Sequence, residues 1–285
     1  MQKENTPFLE IRNLTYQYSD GTKALIGIDL DIQQGEKLAV IGPNGSGKST
    51  LFLCLNGVLK AKHGSILLQG QPLSYDRKGL IETRKKIGIV FQDPETQLFC
   101  INVFQEVAFG PANLGLKKEA LQHCVEQTLA KMNLTALQDR PPHFLSGGQK
   151  KQVSIASVVA MNPELMIFDE PTAALDAENM RQTMDLMEEL NQNGITMMMS
   201  THDMELAYEW ADRVAVLKDG AILRIGTPQE IFTNKELLQQ VNLAPPKLLQ
   251  FYEQLVRHRV LPNTIKPPKS MEELEVYLEN KHNIC

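Results

Sequence analysis

The chain has 285 residues, a formal net charge of −5, 42% hydrophobic and 22% charged residues. That balance suits one large globular domain, with or without a small appendage, and excludes a disordered or low-complexity chain. The basic residues are scattered and give no overall pull toward nucleic acid, and no apolar run approaches the ~20 residues that span a bilayer.

The first residues, MQKENTP, lack the apolar core of a signal peptide. The expectation is an intracellular chain that meets a membrane only through a partner. Apolar positions alternate in Phe8-Leu9-Glu10-Ile11 and again at Ile26, Ile28, Leu30 and Ile32, predicting strands. After the Gln34-Gly35 turn, Leu38-Ala39-Val40-Ile41 runs straight into GPNGSGKST and then into the helical pattern Leu51–Leu55. Further short strands are predicted at Ile87–Phe91, Leu165–Phe168, Ile195–Met199 and Val214–Leu217. Each is apolar on both sides, as in a sheet covered on both faces. Between them, residues 103–162 read as helical, and about 92–162 is taken as a helical subdomain inserted in the core. Helices are predicted at roughly 178–192 and 203–211, and Asp219-Gly220 signals a hairpin into Ile222–Ile225. The alternation predicts an α/β core with a mostly parallel sheet, preceded by an antiparallel β subdomain.

After Ala244 the texture changes. Pro245-Pro246 and Pro267-Pro268 bracket an amphipathic stretch, Leu248–Val256, and Ser270 with Glu273 forms a capping-box pattern for a last helix over 271–281. Residues 1–243 are therefore read as one domain and 244–285 as a small helical appendage. Lys85-Lys86 and Lys117-Lys118 read as solvated faces. Cys54, Cys100, Cys124 and Cys285 form no CxxC pair, so they are read as thiols in a reducing compartment rather than zinc ligands or a disulfide framework. Met197–Met199 is read as core, not as a metal site.

Gly42-Pro43-Asn44-Gly45-Ser46-Gly47-Lys48-Ser49 fits GxxxxGK[ST] between a strand and a helix. In that context the backbone amides turn inward onto phosphates, Lys48 reaches the β- and γ-oxygens, and the Ser49 hydroxyl is placed for Mg²⁺. Leu165–Phe168 ends in Asp169 and Glu170. Alone, such a pair reads as solvated acids; beside a phosphate loop, Asp169 can hold Mg²⁺ and Glu170 can polarise the attacking water. His202 ends another apolar strand and fits either a satisfied structural residue or a sensor of the γ-phosphate. Gln92 taken singly is a turn residue, and Tyr18 is a turn aromatic or a ring that stacks on a base. Ser146-Gly147-Gly148-Gln149 is a second helix start with free amides, with Ser146 a good N-cap.

In this order the pieces resemble the nucleotide-binding subunits of ABC transporters over at least residues 8–230. GPNGSGKST is similar to Walker A, Gln92 to the Q-loop glutamine, LSGGQ to the signature, LMIFDE to Walker B, Ala174-Leu175-Asp176 to the D-loop and His202 to the switch histidine. The stretches Val90–Phe99 and Glu106–Gly115 narrow the resemblance to energy-coupling-factor importers, and with Lys78-Gly79-Leu80 through Gly88-Ile89-Val90 the chain most resembles the ATPase of cobalt systems of the CbiO type. The resemblance implies ATP contact by Tyr18, Gly42, Pro43, Asn44, Gly45, Ser46, Gly47, Lys48, Ser49, Thr50 and Gln92. It implies Mg²⁺ at Ser49, Gln92 and Asp169, and catalysis by Glu170, His202 and Lys48. Cassettes of this family work head to tail, so Ser146, Gly147, Gly148 and Gln149 would grip the nucleotide of a second ATPase subunit, a copy or a paralogue. Further partners implied are a transmembrane coupling (T) subunit and a substrate-binding membrane (S) component. The chain would then sit peripherally on the cytoplasmic face of the cell membrane and power uptake of a transition-metal ion, with cobalt favoured, or a vitamin. Phe99, Val103 and Phe104 fit either the membrane-subunit contact or the core of the helical subdomain. One letter departs from the family: Gln152 stands where Arg is usual and supplies no guanidinium fork. A non-transport ABC ATPase is disfavoured by the single cassette and the lack of heptads between Lys48 and Ser146, and a non-hydrolysing regulator by the presence of Glu170 and His202.

Overall fold

The computed structural model describes residues 7–279. The expectations for Cys285 and for residues 280–281 of the last helix fall outside them.

The chain opens with β1 (Leu9–Gln17), β2 (Lys23–Ile32) and β3 (Lys37–Ile41), then α1 (Lys48–Leu55). Next come β4 (His63–Leu68), β5 (Gln71–Pro72), α2 (Arg77–Lys86) and β6 (Ile87–Val90). The inserted helices are α3 (Val103–Asn113), α4 (Lys118–Lys131) and α5 (Gly147–Val159). Then β7 (Leu165–Asp169), α6 (Ala177–Gln192), β8 (Thr196–Ser200), α7 (Met204–Trp210), β9 (Arg213–Lys218) and β10 (Ala221–Gly226) complete the core. The C-terminal helices are α8 (Pro228–Phe232), α9 (Lys235–Gln240), α10 (Lys247–Arg257) and α11 (Met271–Glu279).

Two sheets form. The first is antiparallel in the order β2-β1-β4-β5; the second runs β10-β9-β3-β8-β7-β6. In the second, β9, β3, β8, β7 and β6 are parallel and β10 is antiparallel. Successive residues of its strands enter two different cores. Leu38, Val40, Leu165, Ile167 and Met198 pack with α1 and the antiparallel sheet. Ala39, Ile41, Met166, Phe168, Met197 and Met199 pack with the helices on the other face. Both faces are covered, which is why these strands read as continuous apolar runs. The methionines are core, as expected from the sequence.

The alternation expected at Ile26, Ile28, Leu30 and Ile32 breaks at its first member. Leu14 faces Ile28 but Tyr16 faces Leu25, and Gly27 in the gap has φ +68°. This bulge turns Leu25 into the core and leaves Ile26 50% exposed. The region from His63 to Lys86 carried no legible element in the sequence. In β4 only Ile66 and Leu68 are buried, and in α2 only Thr83, so neither periodicity is long enough to read. At α11, Ser270 Oγ accepts from Glu273 N, while the Glu273 carboxylate accepts from Lys269 N, one residue before the reciprocal bond of a full capping box.

Candidate functional site

Four neighbouring strands deliver the site. In spatial order β3, β8, β7 and β6 lie side by side. Their carboxyl ends carry, respectively, the glycine loop, His202, Asp169-Glu170 and Gln92. Ligand sites of open parallel sheets form at such ends.

The glycine loop closes tightly. Gly47 has φ +108°, and a Cβ there would stand 2.5 Å from Ala24 O, so only glycine lets the loop pass under β2. Lys48 is buried, and its Nζ donates to Gly42 O (2.9 Å) and Pro43 O (3.1 Å). Burial holds its ammonium below the ordinary lysine value, against the upward pull of Glu170 and Asp169. Ser46 Oγ is buried within the loop without a partner. An orphan hydroxyl and a buried cation inside one loop fit an anion.

Asp169 Oδ1 accepts from Ser200 Oγ at 2.5 Å, which ties the end of β7 to β8. Glu170 follows in the left-handed region, φ +47°, where a non-glycine residue is strained. Two bonds from its N–H, to Ser200 O and Ser200 Oγ, hold it there. Its Oε2 accepts from His202 N (3.2 Å), and His202 Nε2 lies 3.2 Å from Oε1. Oε1 makes no aligned hydrogen bond, so this contact is close but does not use the lone pair fully. Tyr18 is on the rim, its hydroxyl 2.9 Å from Thr50 Oγ1.

A cavity of about 340 Å³ gathers Tyr18, Asn44, Gly45, Ser46, Gly47, Lys48, Ser49, Thr50, Gln92, Asp169, Glu170 and His202. Gly42 and Pro43 underlie it through the carbonyls that Lys48 grips. Ser146, Gly147, Gly148 and Gln149 do not line it. They start α5, where Ser146 and Gln149 form a full capping box. Among the described residues no cluster of three or more His, Cys, Asp or Glu forms a metal site. The candidate cation ligands Ser49, Gln92 and Asp169 all face the one cavity and offer oxygen only, a donor set that fits Mg²⁺.

Sequence reasoning missed Thr22, just before β2, and Lys23 and Ala24 at its start, which also line the cavity. Their nearness to Tyr18 in the chain was the available signal. It also missed Lys151, a buried lysine on α5 whose Nζ donates to Phe91 O and Gln92 O. Burial pushes this ammonium down to about 8. Of the three candidates for a membrane-subunit contact, Val103 is fully buried in the core and Phe104 is packed against that core, so both take the core reading. Phe99 is 65% exposed and stands edge-on to Phe109, with Ile101 75% exposed beside it. Cys54 is buried, and its thiol is pushed up to about 12 by burial.

The family model of the ABC transporter matches residues 25–173. A relative from Methanosarcina mazei is 49% identical over 266 residues, or 93% of this chain, and the chain spans 58% of that relative's length. An energy-coupling factor transporter ATP-binding protein, EcfA, of Methanococcus maripaludis is 48% identical over 247 residues, covering 87% of this chain and 89% of its own. Among solved structures, cbiO1 from Clostridium perfringens, part of the ABC transporter complex cbiONQ, is 43% identical with a TM-score of 0.73, covering 87% of this chain and 99% of its own. A dimeric ATP-binding cassette, MJ0796, in a post-hydrolysis state with ADP and Pi, is 29% identical with a TM-score of 0.70 over 77% of this chain and 98% of its own.

Proposed function

The chain belongs to the ABC transporter family, and on that premise we propose that it is the ATP-hydrolysing subunit of an energy-coupling-factor importer. The observation that carries the reading is the row of four strand ends, which brings Lys48, Ser49, His202, Asp169, Glu170 and Gln92 to one cavity. That set holds what phosphoryl transfer to water needs: a phosphate cradle, a cation site and a carboxylate for the nucleophile.

In this reading the loop amides and Lys48 hold the β- and γ-phosphates, Lys48 exchanging its two loop carbonyls for phosphate oxygens. Ser49, Asp169 and Gln92 would hold Mg²⁺, which when bound offsets phosphate charge. The Glu170 carboxylate accepts a proton from the attacking water, and its backbone is pinned by Ser200. His202 bonds Glu170 through its backbone N–H and keeps its ring nitrogen beside the same carboxylate, and its half-exposed ring is the group we assign to sensing the γ-phosphate. Tyr18 stacks on the base.

The capped start of α5 lies outside the cavity of its own chain. It supports a head-to-tail dimer, with Ser146, Gly147, Gly148 and Gln149 gripping the nucleotide of a second ATPase subunit. The dimeric state of the MJ0796 cassette supports a dimer as the working unit. Among the described residues no helix is long and apolar enough to cross a membrane, and the transport reading assigns that role to membrane partners. The exposed Phe99, Ile101 and Phe109 are the surface we assign to the transmembrane coupling subunit, with a separate membrane component binding the cargo. The chain then sits on the cytoplasmic face of the membrane. The cargo we assign follows the resemblance read from the sequence: a transition-metal ion, cobalt favoured, with a vitamin as the second choice.

Glu170→Gln tests the reading. It keeps the shape of the site but removes the base, so ATP affinity is retained and hydrolysis falls by roughly 100-fold or more. The variant then accumulates as an ATP-bound dimer on size exclusion. Unchanged hydrolysis would mean that Glu170 is not the base.

A further inference from the structure

Lys151 is 1% exposed, and no carboxylate pairs with it among the described residues. Its Nζ is held by two backbone carbonyls, Phe91 O at 3.0 Å and Gln92 O at 2.8 Å. Burying an ammonium on neutral acceptors is costly, and an apolar side chain of the same length would fill the slot with less penalty. Stability therefore does not explain the charge; what it touches does. Phe91 and Gln92 are where the chain leaves β6 and enters the cavity. Lys151 sits one turn inside α5, directly behind the glycine amides that start that helix.

Other bonds follow the same seam. Gln97 accepts from Phe91 N and donates to Ser154 O and Ser157 Oγ of α5. Lys150 reaches Glu95 at 2.5 Å, but Glu95 is exposed, and such a surface pair contributes little. The buried member of the seam is Lys151. Its two acceptors are consecutive carbonyls, which fixes the peptide planes on either side of Gln92 and so the direction in which that side chain leaves the backbone.

We propose that Lys151 is a positioning residue that fastens the Gln92 backbone to the signature helix. The glutamine offered to the chain's own nucleotide and the helix start offered to the partner's nucleotide then move as one piece. The inference rests on the proposed ATPase function. Closure at one site is transmitted to the other through Lys151, with no further element needed between them.

The test compares Lys151→Met, Lys151→Arg and, as a surface control, Lys150→Ala in the full chain. In nucleotide-free protein, amide exchange over Phe91–Leu98 should rise about tenfold in Lys151→Met while residues 42–50 keep their protection. In the same variant kcat should fall about tenfold with the ATP Kd within about twofold. Lys151→Arg, which keeps charge and donors, should recover both, and Lys150→Ala should change neither. Unchanged exchange over 91–98 overturns the proposal. So does an equal rise across the whole chain, or an ATP Kd that worsens in step with kcat. If the unmodified chain hydrolyses no ATP, the ATPase reading falls, while the exchange comparison still decides whether Lys151 fastens the loop.

Discussion

Gln152 shows how far a single residue can be read. From the sequence it is a departure from the family, a neutral amide where a guanidinium is usual. In the structure its Nε2 donates to Gln182 Oε1 on α6 at 3.1 Å, and Gln182 in turn donates to Glu178. The side chain therefore faces a neighbouring helix and not the phosphate cavity. Gln152→Arg should find the Gln182 amide and the Glu178 carboxylate within its reach. We expect ATP affinity to stay within about twofold and thermal stability to change by less than ~1 kcal/mol, as for other exposed charge pairs. Calorimetric titration and a thermal melt check both, and a large affinity change would show that position 152 acts on the nucleotide. Other residues divide in the same way. Asp169, Glu170, His202 and Gln92 were legible because each lies at the polar end of an apolar strand. Lys151 was not, because Lys150-Lys151 reads as a polar pair and its burial depends on a loop some sixty residues earlier folding over it.

At the scale of elements, the start of α5 is packed against the start of α6. A Cβ on Gly148 would fall 1.9 Å from Asn179 Oδ1, and Asn179 Nδ2 donates to Asp176 Oδ1 at 2.8 Å. Gly148 thus has a packing requirement besides the phosphate approach proposed for it: it leaves room for Asn179, which braces Asp176. In Gly148→Ala the Asn179 side chain must rotate away and give up its bond to Asp176, a loss of about 1 kcal/mol. The gain in helix propensity is also about 1 kcal/mol, so the single variant should show almost no net change in stability. Added to Asn179→Ala, where the obstacle is gone, the same substitution should stabilise by about 1 kcal/mol. Denaturant unfolding of the four chains of this cycle reads the coupling, and a value near zero would mean that the two helix starts are not in contact. Elements of this kind were legible where the apolar run was unbroken, in the parallel strands, and where helical periodicity was sustained, over 103–162, 178–192 and 203–211; α8 and α9, five and six residues long, were too short to read. The bulge at Gly27 was not, because a register shift is set by the pairing of β1 with β2 and leaves no mark on the apolar pattern beyond one glycine.

Over the whole molecule, the C-terminal helices are where sequence texture and packing part company. The proline pairs at 245–246 and 267–268 mark the tail as a separate appendage. Its apolar residues nevertheless join the main core: Leu249, Tyr252, Leu261 and Leu274 belong to the same cluster as Ala207, Tyr208 and Phe232. Tyr208, on the helix that follows His202, donates to Pro268 O at 2.9 Å and stands edge-on to Phe232. Lys247 N donates to Glu205 on the same helix. Prolines interrupt helices without interrupting a core, so composition alone overstates the boundary. The consequence is cooperative. Leu274→Ala removes a buried side chain near the far end of the tail and should cost ~2–5 kcal/mol. At roughly 2–4 °C per kcal/mol for a chain of this class, the whole melting transition should move down by about 5 °C or more as a single step. A tail that folds by itself would instead give a small early transition and leave the main one in place. Calorimetry separates these outcomes. A shift of the main transition would mean that the tail, α7 and the sheet below the candidate site unfold as one unit.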